Sequence, residues 1–537
     1  MRDLWIAPAV ARPVSLPSPA PAGTPRRPGR RWPVRLLVAV LLAQMAFAMV
    51  TTAVRQTPTI DEPVYVGAAA EYVHEHRLRH NPEHPPLGKL VIGVGVALAD
   101  PHVDPGFAGD QGQLGRHLLY ESGNDPWRLM LWARLPVIAL TLSFGLVVFA
   151  FARELAGPLA GLAALALYCF SPDVIAHGSL ATLDVPAAGS VLTSAWLVWR
   201  ARRRPRLYVP LAGPALGAAL ATKMSTLPAV PVLMALAAVS VWKASAGGLR
   251  LVRAVVGAGV VALTAITVVW VAYLMVDPRL RWTPEQHVPV VHGLRGLLVR
   301  LLPFPEVYRD GMRVQFGLEN RPWQGFLFGR LYDGSLWYYL PSALLVKTPL
   351  GMLALWVAGA AVVVGVRRLR PAAPYVLAAP LVLLAAAMQG ARDFGTRYAV
   401  FLPLFLAVAA GCVCSWCGGG GYPWGWPFWW PSPLSVRRGR IPTICPTPTR
   451  RSGGRAGPGS GCTTRTWTGG RTSGGSRTGS ATGTRVSGCG SCTRAAGCRP
   501  STASRPRIRD ACRSRRCGGC WSCRTRRPRR PRGGWPS

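Results

Sequence analysis

The hydrophobic positions of this chain are gathered into long apolar runs, separated by segments that carry the polar and charged residues. The first run, 36–54, has about the 20 residues that a helix needs to cross a bilayer. Further apolar runs follow at 128–152, 157–171, 180–200, 207–222, 226–242, 254–276, 339–366, 371–389 and 396–411. The pattern predicts an all-α polytopic membrane protein whose domain, 36–411, has about ten transmembrane helices.

Two of the intervening segments, 55–127 and 277–338, are long loops. The first contains a shorter apolar stretch, 87–99, which is too short to span and predicts an interfacial or re-entrant helix. The acidic pair before it is expected to open a helix that continues through Tyr72. We therefore expect juxtamembrane helices in the first long loop.

Composition and charge agree with the membrane assignment and add an orientation. Half of the 537 residues are hydrophobic, which is more apolar surface than a soluble core of this length needs. Arginine and lysine mark cytoplasmic loops. The basic residues that fall on one side of the predicted spans are Arg26, Arg27, Arg30, Arg31, Arg35, Arg200, Arg202, Arg203, Arg204, Arg206, Lys243, Arg250, Arg253, Arg367, Arg368 and Arg370.

These positions predict a multi-pass protein of the plasma membrane with a cytoplasmic N-terminus and two extracytoplasmic long loops. Residues 1–35 are expected to form a disordered cytoplasmic leader. A cleaved signal peptide is the competing interpretation. It is disfavoured because the first apolar run begins some 35 residues into the chain and is long.

The composition changes abruptly in the tail, 412–537. It holds twelve of the 13 cysteines and 24 arginines, but no lysine and one acid, Asp510. A nucleic-acid-binding arm would be rich in Arg and Gly, and the cysteines of 489–492 and 517–520 have zinc-knuckle spacing. Neither a nucleic-acid-binding arm nor a pair of zinc knuckles explains why the tail has no lysine. Reading 462–475 in a shifted frame permits the text HDSNLDWGQDLRR, so the tail is predicted to be disordered out-of-frame translation that binds neither metal nor nucleic acid.

Candidate chemistry begins with Asp61 and Glu62, just beyond the first span. A carboxylate at a membrane face can take the proton of an acceptor hydroxyl, and Asp61 is the candidate base, with Glu62 as its neighbour or a metal ligand. Acids in a first helical turn are also favoured by the helix dipole alone. Asp184, at the mouth of a later span, is expected to face the same cavity, although it could simply cap its helix.

Few basic groups are expected near the extracytoplasmic face, where the acidic pair lies. They are natural counter-charges for a phosphate. They are Arg134, Lys223, Lys347 and Arg397, with Tyr398 beside the last. Contact with lipid headgroups is the alternative role for each basic side chain. Glu83 and His84, held before two prolines, are candidates for donor or metal contact. No metal site is firmly predicted, and a divalent cation, Mg²⁺ or Mn²⁺, stays open.

Several motifs occur in an order that resembles the bacterial lipid-carrier-dependent glycosyltransferases of the GT-C fold, which are similar to protein O-mannosyltransferases and aminoarabinose transferases. They are Ile60–Pro63, Asn81–Lys89, His177–Pro186, Ala221–Lys223, Trp337–Pro341, Lys347–Pro349 and Gly395–Tyr398. The resemblance covers about 30–411. No single motif is decisive, whereas the ordered set is fairly specific.

The resemblance implies that Asp61 is the catalytic residue and that Asp184 belongs to the same site. It implies a polyprenyl-phosphate sugar as donor, contacts from Lys89 and His177 among others, and a protein, glycan or lipid hydroxyl as acceptor. Transfer would be a single displacement with inversion. A transporter or flippase for a lipid-linked substrate is the alternative, but no internal repeat is found. An inactive transferase, truncated by the frameshift, is another.

Overall fold

A computed structural model describes residues 32–284 and 286–414. The leader and the tail therefore lie almost wholly outside the described residues. The helices of the first half are α1 Trp32–Arg55, α2 Glu62–His74, α3 Pro86–Ala99, α4 Gln111–Tyr120, α5 Pro126–Ala156, α6 Pro158–Cys169, α7 Pro172–Gly178, α8 Asp184–Ala201, α9 Pro205–Thr222 and α10 Ala229–Ala244. Those of the second half are α11 Arg250–Val276, α12 Gly293–Leu301, α13 Glu306–Glu319, α14 Tyr339–Lys347, α15 Leu350–Gly365, α16 Ala373–Ala387 and α17 Phe401–Gly411.

Four helical segments in the described part of the chain are long and apolar enough to cross a membrane: α1, α5, α11 and Arg370–Ala387, which includes α16. The number rises to six if the bent pairs α6–α7 and α14–α15 each count as one span. A largely helical, multi-pass architecture is therefore confirmed. Each apolar run of the sequence forms helix, but the expected count of about ten spans stays a prediction.

Prolines and capping side chains set where many of these helices begin. Helices α3, α5, α6, α7 and α9 each have a proline in the first or second position, where the missing N–H would have no partner in any case. Asp125 accepts hydrogen bonds from the backbone N–H groups of Trp127 and Arg128 and so caps α5. These local signals fix the ends of the helices that carry the site.

The centre of the bundle is packed through small residues. Helix α9 packs against both α8 and α11, and it approaches α11 at Gly213 and Gly217. A Cβ placed on Gly217 would lie 2.5 Å from the carbonyl oxygen of Ala265. Glycine at these positions lets the two backbones approach closely, as is common between membrane helices.

The structure departs from the all-α expectation in the second long loop. Strands β1 Gln324–Leu327 and β2 Arg330–Asp333 form an antiparallel hairpin. Its two-residue turn places Phe328 at φ +48° and Gly329 at φ +80°. A two-residue turn of this kind needs positive φ at both central positions, and phenylalanine at the first gives no turn signal in the sequence. The strands are also only four residues each.

The two long loops contact each other at the Asn81–Pro86 turn. Gln286 Nε2 donates to Glu83 at 3.2 Å, and Leu78 bridges to Trp282. Helix α13 lies so close that a Cβ on Gly311 would be 2.0 Å from the carbonyl oxygen of Pro82. The first loop contributes helices α2, α3 and α4, as expected of a loop with juxtamembrane helices.

Candidate active site

Asp61 immediately precedes α2, and its side chain makes no capping hydrogen bond to that helix. Its carboxylate accepts instead from Nη1 of Arg397. Arg397 belongs to the short 3₁₀ segment Thr396–Ala399, which follows Gly395 at φ +102°. The pair joins residues 336 positions apart in the sequence. Both side chains keep about a quarter of their surface exposed, with 30% for Asp61 and 24% for Arg397, so the pair is accessible to a ligand.

A second carboxylate–cation pair joins two neighbouring helices. Asp184 is the first residue of α8, and Lys223 follows directly after α9. Lys223 Nζ donates to Asp184 Oδ1, and both side chains are largely buried. Helices α8 and α9 pack along their length, which brings the start of one to the end of the other. The alternative role of Asp184, as a cap of α8, is not observed, because this helix has no side-chain cap hydrogen bond.

Tyr398 connects the two pairs. Lys223 Nζ lies 5.5 Å from the centre of the Tyr398 ring, and Arg397 Cζ lies 5.1 Å from it. Arg397 Nη2 is also 3.4 Å from the Tyr398 hydroxyl, which accepts from it. We call these five residues, Asp61, Asp184, Lys223, Arg397 and Tyr398, the charged cluster. It brings together five of the side chains that the sequence nominates.

His84 and Tyr65 lie beside the charged cluster. Their rings meet edge to face at 5.5 Å. Burial, together with the cations Lys223 and Lys89, holds the pKa of His84 well below its usual range, so the imidazole is neutral. Burial and the carboxylates Asp61 and Asp184 raise the pKa of Tyr65, so its phenol stays protonated. Tyr65 was not assigned a role from the sequence, where a tyrosine in a helix has no distinguishing signal.

Two buried polar atoms at this place have no hydrogen-bond partner among the described residues. They are His84 Nδ1 and Arg397 Nε. Unsatisfied buried polar atoms are uncommon in folded proteins because each costs about 1–3 kcal/mol. Both atoms therefore have an unused hydrogen-bonding position.

Glu62 and Arg134 are placed differently from the expectation. Their side chains are fully buried and form a two-pronged ion pair, with Arg134 Nε and Nη2 each 2.7 Å from a Glu62 oxygen. Glu62 also accepts from the backbone N–H groups of Ala181 and Thr59, both at 2.8 Å. Both carboxylate oxygens of Glu62 thus accept hydrogen bonds from the protein. Neither side chain faces a place where a donor phosphate or a metal ion could reach it.

Besides its ion pair with Glu62, Arg134 donates hydrogen bonds to the backbone at the end of α1. Nη1 donates to the carbonyl oxygens of Ala53 at 2.7 Å and Gln56 at 2.8 Å. The ion pair therefore joins α1, the start of α2, α5 and the segment before α8. The sequence shows the two charges but not their contact in space, since they are 72 positions apart in the chain.

Glu83 and Lys89 hold the first loop together. Glu83 accepts from Gln111 Nε2 at 2.8 Å as well as from Gln286. Lys89 is fully buried and donates to the carbonyl oxygen of Asn81 at 2.7 Å, where Asn81 has φ +56°. Burial lowers the pKa of Lys89 to about 7. The Lys89 ammonium also lies 5.0 Å from the centre of the Tyr72 ring. These contacts account for both side chains without a ligand.

His177 and Lys347 lie at the edges of the charged cluster. His177 is half-buried near the end of α7, and its carbonyl oxygen accepts from Thr182 at 3.3 Å. Lys347 is exposed at the end of α14, and a Cβ on Gly395 would lie 4.0 Å from its Nζ. Thr396 donates to Asp173 at 2.8 Å, which ties α7 to the segment that carries Arg397. Asp173 was not nominated from the sequence because it reads as an ordinary first-turn acid.

Within residues 32–284 and 286–414, no three His, Cys, Asp or Glu side chains converge as a metal site. Glu83 and His84 therefore lack a third ligand of these types in the described part of the chain. The cysteine pairs of the tail lie outside the described residues.

Comparison with known proteins finds one family model that matches part of the chain. Residues 37–276 match the model of the dolichyl-phosphate-mannose-protein mannosyltransferase family. This range includes Asp61, Asp184 and Lys223 and ends before Arg397. No curated protein sequence matches the chain significantly.

Among solved structures, the chain is similar to ArnT from Cupriavidus metallidurans bound to undecaprenyl phosphate, with 20% identity over 73% of this chain and 61% of that one, at a TM-score of 0.44. It is also similar to the S. cerevisiae protein O-mannosyltransferase Pmt1-Pmt2 complex bound to the sugar donor, with 15% identity over 46% and 34% of the two chains and a TM-score of 0.38. The archaeal oligosaccharyltransferase AglB from Archaeoglobus fulgidus gives 12% identity, coverages of 70% and 50%, and a TM-score of 0.38.

The chain spans less than two thirds of the length of each of these proteins. The family match confirms the resemblance that the ordered motifs indicate. Over residues 37–276, less than half of the chain, the sequence is similar to the dolichyl-phosphate-mannose-protein mannosyltransferase family.

Proposed function

We propose that this protein is a membrane glycosyltransferase that moves a sugar from a polyprenyl-phosphate carrier to a hydroxyl acceptor on the extracytoplasmic side. The observation that carries the proposal is the charged cluster, in which two carboxylate–cation pairs meet at Tyr398. A carboxylate and a cation in reach of one ligand supply the two functions that this transfer needs. One takes a proton and the other stabilises a leaving phosphate.

The cations of the cluster form the donor side of the proposed site. Arg397 has a buried Nε without a described partner, and a guanidinium binds phosphate oxygens through paired hydrogen bonds. Lys223 also lies near the Tyr398 ring, and Lys347 lies near Gly395. These groups would stabilise the negative charge that develops on the polyprenyl phosphate as the bond to the sugar breaks.

Asp61 forms the acceptor side. When the donor phosphate engages Arg397, the carboxylate of Asp61 is released to accept the proton of the incoming hydroxyl. The acceptor oxygen then bonds to the sugar carbon as the carbon–phosphate oxygen bond breaks, with inversion and no covalent enzyme intermediate. Asp184 would hold Lys223 in place through their ion pair. No step is assigned to Mg²⁺ or Mn²⁺.

The first experiment replaces the proposed base. Asp61→Asn keeps the shape of the side chain but removes its ability to take a proton, so we expect transfer to fall by at least about 100-fold. The full chain in vesicles is supplied with radiolabelled polyprenyl-phosphate mannose or polyprenyl-phosphate aminoarabinose, and labelled acceptor is measured. Asp100→Asn is the matched control, because Asp100 is exposed at φ +49° in the same loop.

Full transfer by the Asp61→Asn protein would show that this carboxylate is not the base. A wild-type chain that moves labelled lipid across the bilayer without transferring its sugar would favour a flippase instead. Retention of activity in Asp100→Asn is required for either conclusion.

A further inference from the structure

Helix α12, in the second long loop, exposes an apolar face. Four leucines on it are between 50% and 72% exposed, whereas Val299 is buried against the protein. They are Leu294, Leu297, Leu298 and Leu301. Their spacing of three, four and seven residues places them on one side of the helix. The described residues do not cover this face.

The charges of α12 lie at the sides of the leucine face. At about 100° per residue, Arg295 and Arg300 fall on opposite flanks of the leucines, and Val299 falls on the far side. The helix contains no acidic residue. Apolar residues on one face with arginines at its borders are the pattern of a helix that lies in the plane of a membrane surface.

The depth of α12 is set by a contact with a spanning helix. Trp270 Nε1 donates to the carbonyl oxygen of Pro303 at 2.9 Å, and Pro303 follows two residues after α12 ends. Trp270 lies inside the candidate span α11, six residues before its end at Val276, which is about 9 Å along the helix axis. The C-terminal end of α12 is therefore at the level of the span rather than above it. Tryptophan is also a residue of membrane interfaces.

We propose that α12 is an interfacial helix whose leucine face is buried in the bilayer leaflet on the side of the second long loop. The leucines contact acyl chains, and Arg295 and Arg300 reach the phosphates of anionic lipids. The bilayer is the occupant that the surroundings favour, because α11 beside it also exposes apolar side chains along its length, including Leu263, Val271 and Met275. The contact between Trp270 and Pro303 holds the end of α12 beside this helix.

The anchoring of α12 has a consequence for the proposed active site. Helix α13 follows α12 after a short connection and packs on the Asn81–Pro86 turn through Gly311. The same loop contributes Gln286 to Glu83. A bilayer-held α12 would thus keep the second loop against the turn that carries His84.

The test uses a photoreactive side chain in the full-length protein. Leu297→p-benzoylphenylalanine is incorporated, and the protein is reconstituted in vesicles of phosphatidylethanolamine and phosphatidylglycerol. After irradiation, lipid adducts are measured by mass spectrometry. We expect about fivefold more lipid adduct than with Arg321→p-benzoylphenylalanine, an exposed position of the same loop. Equal yields at 297 and 321 would overturn the proposal, as would a main product of two crosslinked chains.

A second pair of variants tests the face and the charges separately. Leu298→Glu, with the photoreactive group at 294, should reduce lipid adducts to the level of the Arg321 control, because a carboxylate disfavours burial among acyl chains. Arg295→Gln with Arg300→Gln should reduce adducts more in vesicles with phosphatidylglycerol than in vesicles of phosphatidylcholine alone. Unchanged adduct yields in both experiments would contradict the assignment, whether or not sugar transfer is retained.

Discussion

Asp61 and Glu62 are adjacent residues with opposite environments. The Asp61 side chain is 30% exposed and shares one ion pair with Arg397, whereas the Glu62 side chain is fully buried and has every oxygen engaged. The difference arises because Asp61 precedes α2 and Glu62 is its first residue, so the two side chains point in different directions. Of the two carboxylates, only that of Asp61 is partly exposed.

Single residues also give the proposed site a pH dependence. The pKa of His84 is held well below about 6.5 by burial and by Lys223 and Lys89. The unfolded chain therefore binds a proton at His84 at a higher pH than the folded protein does. The stability that this neutral imidazole allows is fully present above about pH 6.5 and is lost as the pH falls towards the lower, folded pKa.

We therefore expect the melting temperature of the His84→Phe protein to fall less than that of the wild type when the pH is lowered from 7.5 to 5.5. The measurement is thermal unfolding of the purified full chain in detergent at each pH. His74→Gln, at an exposed position of the same loop, should keep the wild-type slope. A slope that is unchanged in His84→Phe would show that this imidazole does not contribute to it.

At the scale of elements, the Glu62–Arg134 pair joins the helices that place Asp61. It links the end of α1, the start of α2 and α5 through hydrogen bonds of 2.7 to 2.8 Å. A buried charge that loses its partner is costly, because the low-dielectric interior does not solvate it. The pair therefore has a positioning role rather than a direct one.

Glu62→Gln leaves the Arg134 guanidinium buried without a countercharge, and we expect a loss of about 3–5 kcal/mol in the free energy of unfolding. Sugar transfer should also fall, because the pair holds the start of α2, which Asp61 immediately precedes. Denaturant unfolding in detergent measures the first effect. Asp61→Asn is the comparison, because this substitution of a partly exposed side chain should remove activity with little change in stability. Equal stability of the two variants would contradict the separation of roles.

At the scale of the whole molecule, orientation is the property that the proposed function needs most. The arginine and lysine pattern predicts that 200–206 is cytoplasmic and that both long loops, with the charged cluster, are outside. We expect alkaline phosphatase, which is active only outside the cytoplasm, to be active when fused after residue 321 and inactive when fused after residue 203. The reverse result would place the proposed site on the cytoplasmic side and exclude an extracytoplasmic donor.

Much of the fold could be predicted because its signals are local. Each long apolar run forms helix, the helix through Tyr72 ends at His74, and the short helix over 87–99 begins at Pro86. Hydrophobic length and proline position decide these features within a few residues of chain. The hairpin at 324–333 was not predicted, because its strands are short and its turn uses a phenylalanine at positive φ.

The candidate site could be predicted only as a set of residue types. The sequence by itself determined that this is a multi-pass membrane protein, which acids and bases it offers near the span ends, and which family their order resembles. Only the tertiary structure decided the partners: Asp61 with Arg397, Asp184 with Lys223, and Glu62 with Arg134. Hydropathy is a property of neighbouring residues, whereas each of these ion pairs depends on how helices far apart in the chain pack together.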